Sequence, residues 1–95
     1  MIAGKVTIAN VSMPTAKTEA SYTLPDGTKK AVLKLRNSAI KFRFAYATGA
    51  TDRDGTHITI PAGASKEVVD IKGTAITLFF QADAGNQTME IETWK

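Results

Sequence analysis

A chain of 95 residues, 43% hydrophobic and 22% charged, is sized for one ordinary domain and lies far from the composition of a disordered chain. It holds no cysteine, which excludes disulfides and thiolate metal sites, and its apolar stretches fall well short of the roughly 18–20 residues that a membrane-spanning helix needs. The net charge of +3 is unevenly divided: residues 1–50 carry eight Lys/Arg against two Asp/Glu, and residues 51–95 carry four against seven.

The start, Met1-Ile2-Ala3-Gly4-Lys5, lacks the basic region and apolar run of a signal peptide, so export is not expected. Val6 and Ile8 open the series of apolar positions, but Pro14 interrupts the segment and Thr15-Ala16-Lys17-Thr18-Glu19 has no apolar rhythm. Residues 1–19 therefore read either as a first strand or as an extended N-terminal arm that pairs with a neighbouring subunit's sheet edge. Tyr22 and Leu24 form a short strand before the turn Pro25-Asp26-Gly27.

Beyond it the side chains alternate with period two, the signature of half-buried strands. Ala31, Leu33 and Leu35 alternate with Lys30, Val32, Lys34 and Arg36. Ile40, Phe42, Phe44 and Tyr46 alternate with Lys41, Arg43 and Ala45. The pairs Ile58/Ile60 and Val69/Ile71 continue the pattern, as do Ile76, Leu78, Phe80 and Ala82 and then Met89, Ile91 and Thr93. Turn residues recur about every ten positions, at Asn37-Ser38, Asp54-Gly55, Pro61-Ala62-Gly63, Lys72-Gly73 and Ala84-Gly85-Asn86. The fold class that follows is all-β: a compact antiparallel sandwich, jelly-roll or Greek-key-like, of about seven or eight short strands in a single domain spanning residues 1–95.

The charges constrain the layout. A tight hairpin through Asn37-Ser38 would set Lys34 opposite Lys41, and like charges directly opposite destabilise a sheet. Either the two strands separate into different sheets, or an acidic strand covers Lys34, Arg36, Lys41 and Arg43; Glu90 and Glu92, at the outward positions of the last strand, are the candidates. Phe42, Phe44 and Tyr46 share a parity with Ile40 and are assigned to the core, which removes them as a base-stacking platform. Trp94 falls on the outward parity with Glu90 and Glu92 and is a candidate interface anchor.

Signals for catalysis are missing. His57, the single histidine, opens a strand with Ile58 and Ile60 as its core positions and is expected at the surface. None of Ser12, Ser21, Ser38 or Ser65 lies in a nucleophile elbow, and there is no phosphate-binding glycine loop. Asp52-Arg53-Asp54-Gly55 resembles a fragment of a calcium loop, but the position that needs a glutamate is Gly63. The expectation is no enzyme, no cofactor and no metal.

The stretch from Ile58 to Ser65 with its I-P-A-G turn, the strand Ala75–Ala82 ending Phe79-Phe80-Gln81-Ala82, and the closing Met89-Glu90-Ile91-Glu92-Thr93-Trp94 resemble, in that order, small virion proteins of tailed bacteriophages. The resemblance covers about residues 29–95, starting from the basic strand; the segment before Lys29 has no counterpart, and a usual aromatic near His57 is absent. It implies a virion structural protein, assembled in the host cytoplasm, that binds capsid, head-to-tail or tail subunits as a decoration, cement or accessory component. A homo-oligomer is expected, with no membrane and no direct nucleic-acid contact. The candidate partner interface is Lys34, Arg36, Lys41, Arg43, Glu90, Glu92 and Trp94. A carbohydrate- or host-surface-binding module is the alternative.

Overall fold

The computed structural model describes residues 6–52, 54–73 and 75–95. The alternating segments become eight strands: β1 (Val6–Met13), β2 (Ala20–Thr23), β3 (Lys30–Leu35), β4 (Phe42–Ala45), β5 (Ile58–Ile60), β6 (Ser65–Val68), β7 (Thr77–Ala82) and β8 (Gln87–Trp94). They form two four-stranded sheets, ordered β1-β8-β3-β6 and β2-β7-β4-β5, in which every pair is antiparallel. Successive strands alternate between the sheets, so no strand pairs with the one before or after it except β4 with β5. Two interlocked Greek keys of this kind make a jelly roll.

The inward parity of both sheets supplies one core. Leu33, Leu35, Met89 and Ile91 from the first sheet meet Phe42, Phe44, Leu78 and Phe80 from the second, all of them buried. The turns form where glycine permits them. Gly27, at φ 84°, follows Asp26 in a turn closed by the Thr28 N–H donating to the Pro25 carbonyl at 3.2 Å. At one end of the sandwich, Gly85 lets the β7–β8 turn approach the β1–β2 connection, because a Cβ at that position would stand 2.8 Å from the Pro14 carbonyl oxygen.

Residues 6–13 pair along their full length with β8 of the same chain, from Val6 opposite Trp94 to Met13 opposite Gln87. Over this segment the chain is a first strand rather than a free arm. Its phase differs from the sequence expectation: Ala9, Val11 and Met13 pack on the core, and Ile8 is 71% exposed on the outer face. Two other assignments to the core are corrected in the same way. Tyr46 is 57% exposed, edge-on to Phe44 with ring centroids 5.0 Å apart, and Ile58 is 49% exposed. All three keep the period of two, but Ile8 lies in an edge strand of opposite phase, while Tyr46 follows the last residue of β4 and Ile58 opens β5, the edge of its sheet. Val69, placed with Ile71 in a strand, lies just beyond β6 and is exposed.

Candidate functional site

The two outer faces of the sandwich are built differently. On the sheet β1-β8-β3-β6, the register sets Val6, Trp94 and Lys30 side by side, then Ile8, Glu92, Val32 and Glu67, then Asn10, Glu90, Lys34 and Ser65. This surface is open. Lys30 binds the Glu67 carboxylate at 3.7 Å and lies over the Trp94 ring at 4.9 Å, and Arg36 Nε donates to Glu90 at 3.0 Å. Glu92, held between Ile8 and Val32, makes no ion pair among the described residues.

On the sheet β2-β7-β4-β5 the β4–β5 connection folds back over the outer surface. Successive turns shape it, with the Ala50 N–H donating to Ala47, Asp52 to Gly49 and Gly55 to Asp52. Gly55 is required here, since a Cβ would collide with the Ala50 backbone. Two sheet residues of outward parity, opposite each other in the register, hold the loop down. Arg43 Nη1 donates to the Thr51 carbonyl at 3.1 Å and to Gln81 Oε1 at 3.2 Å, and Gln81 Nε2 donates to Asp52 at 3.3 Å. Gln81 is only 2% exposed and Thr51 fully buried.

From the β1–β2 connection, Glu19 completes the anchorage. Its carboxylate accepts the N–H groups of Gly49 at 2.8 Å and Thr51 at 3.2 Å, and the Thr51 hydroxyl at 2.5 Å. Burial by itself pushes this carboxyl's pKa up, but the Thr51 hydroxyl and the Gly49 and Thr51 N–H groups outweigh it and leave the pKa below the usual glutamate value. His57 Nδ1 contacts the Ala50 carbonyl at 3.0 Å, so the ring helps shape the loop. Lys17, Arg43, Asp52, Asp54 and Gln81 line an open concavity at this place.

The predicted interface residues therefore do not form one patch. Lys34, Arg36, Glu90, Glu92 and Trp94 gather around the first sheet, and Lys41 and Arg43 belong to the second. The strands on either side of Asn37-Ser38 do separate into different sheets, which keeps Lys34 away from Lys41. The acidic cover differs from expectation: β8 lies between β1 and β3, so Glu90 stands opposite Lys34 and binds Arg36, whereas Lys41 pairs with Asp83 at 3.6 Å. No family model matches this chain, and neither does any curated protein or solved structure.

Sequence reasoning missed Glu19, Thr51 and Gln81. Gln81 left the clearest trace, as a polar residue in an otherwise apolar Leu78–Ala82 run. Glu19 left none, because its partners lie some thirty residues downstream.

Proposed function

We propose that this chain is a non-enzymatic structural protein of a tailed-phage virion, binding capsid, head-to-tail or tail subunits as a decoration, cement or accessory component. The jelly-roll strand order carries the reading, since this architecture recurs in viral capsid domains; the ordered resemblance of residues 29–95 to small virion proteins adds to it. The open sheet offers the contact surface: Glu92, Lys34 and Trp94 beside the aliphatic Ile8 and Val32. Contacts of modest strength suffice when a lattice repeats them, because each bound subunit or neighbour raises the effective concentration of the next.

Mass spectrometry and imaging of purified particles test the reading. The chain is expected in fixed stoichiometry with the capsid or tail protein, with lower occupancy for the combined Lys34→Ala, Glu92→Ala and Trp94→Ala variant. Particles that lack the chain would overturn the proposal.

The concavity over the second sheet favours one other reading, a carbohydrate- or host-surface-binding module, because jelly rolls also build lectins and Lys17, Asp52 and Asp54 present donors and acceptors together. A glycan array probed with wild type and with Asp54→Ala and Lys17→Ala decides it. Glycan signals that either substitution abolishes support a sugar site, and a blank array removes it.

A further inference from the structure

Four strands stand at sheet edges, and three of them are short: β2 and β6 have four residues each and β5 has three. β6 is also guarded by charge. Its Lys66 has inward parity, with the ammonium 5.6 Å from the centre of the Phe44 ring, and Glu67 is tied to Lys30. Short edges and inward-pointing charges are the devices by which sheets avoid pairing with another chain.

β1 has neither device. It runs for eight residues, Val-Thr-Ile-Ala-Asn-Val-Ser-Met, with no charge and no proline. Among the described residues its single strand neighbour is β8. It presents Ile8 at 71% exposure. The edge strand of the other sheet beside it, β2, is uncharged as well and contacts β1 across the sandwich. One side of the molecule is therefore a charge-free pair of strand edges.

We infer that the β1 edge is an interface between two copies of this chain, joined antiparallel about a two-fold axis so that the sheets continue as β3-β8-β1-β1-β8-β3. A two-fold contact brings each residue close to its own counterpart, so a charged edge would repel itself; β1 meets that condition at every register. The inner faces of both copies stay on one side only when residues of like parity meet. The axis then passes between a residue near the middle of the strand, Ala9 or Asn10, and its own counterpart, and Ile8 is covered by the partner's Asn10 or Ser12. The nearest repeated charges, Glu90 and Glu92 of the two β8 strands, lie three strand spacings apart, about 14 Å, beyond the physiological screening length of about 8 Å. This pairing does not depend on the virion reading.

Sedimentation velocity on the full chain across a concentration series, from about 1 μM to 1 mM, tests it. Wild type is expected to pass from monomer to dimer, and the Ile8→Lys/Asn10→Lys variant to weaken the dimer at least tenfold. In the monomer the two lysines stand opposite Glu92 and Glu90, so the fold has no reason to suffer, whereas the dimer would crowd four lysines together. Hydrogen exchange on wild type is an independent measurement: protection of amides in Val6–Met13 should rise with concentration while β5 and β6 stay unchanged. A chain monomeric at 1 mM, a dimer indifferent to both lysines, or protection that ignores concentration overturns the inference.

Discussion

The two outer faces of this jelly roll use the same residue types for opposite purposes. Each engages an arginine and a glutamate, Arg36 with Glu90 on one and Arg43 with Glu19 on the other. On the face of β1-β8-β3-β6, Arg36 and Glu90 bind each other at 3.0 Å with more than a third of each side chain in solvent. On the face of β2-β7-β4-β5, Arg43 and Glu19 never meet; each grips the backbone of the β4–β5 connection. The difference teaches that a surface charge gains structural weight when its partner includes main chain that the fold has buried, as at Thr51. A salt bridge in water exchanges one good solvation for another, but a loop N–H or carbonyl covered by protein must be satisfied from within.

Replacing the four residues one at a time is the sharpest way to break that comparison. Glu19→Ala has the largest expected effect, a loss of about 2–3 kcal/mol in urea-induced unfolding, because three donors lose a charged acceptor together. Arg43→Ala follows at about 1.5 kcal/mol, leaving the Thr51 carbonyl and Gln81 Oε1 without that donor. Hydrogen exchange in residues 47–52 should quicken in both variants.

Acid sharpens the contrast on one side only. Because the Glu19 pKa is lowered in the folded chain, its contribution is complete above the unfolded-state value of about 4.3. It fades as pH falls from there through the folded-state value. Glu19→Gln should flatten this part of the stability profile, and a wild-type profile that the substitution leaves unchanged would contradict the role given to the carboxylate. The smallest effect is expected on the open face, where Arg36→Ala should cost less than about 1 kcal/mol and be masked by added salt. An equal cost for Arg36→Ala and Arg43→Ala would erase the distinction.

Much of the architecture was legible in the residues, for a physical reason: alternation at Leu33/Leu35, Phe42/Phe44 and Leu78/Phe80 reports burial directly, and those six residues are core. The rule fails at Tyr46 and Ile58, where a strand ends or lies at an edge, because period does not fix whether anything covers a face; at Ile8 it fails because period alone does not fix the phase, and Ala9, Val11 and Met13 take the inner face instead. The candidate interface was legible only in part. Charge counting could place Lys34 and Glu90 on outward faces, but which acid meets which base depends on strand order, and strand order is a non-local property. Glu90 satisfies Arg36 rather than Arg43 because β8 is inserted between β1 and β3.

That insertion has a consequence for biosynthesis. Of the four strands of the first sheet the inserted β8 is the last in chain order, so while residues 87–94 are still unmade β1 lacks its described neighbour and β3 has only β6. The nascent chain must carry the long uncharged edge of β1 unpaired until residues 87–94 have been made. A ribosome stalled before Gln87 would hold a chain unable to close its sandwich, and chaperone demand should peak there and fall as β8 emerges.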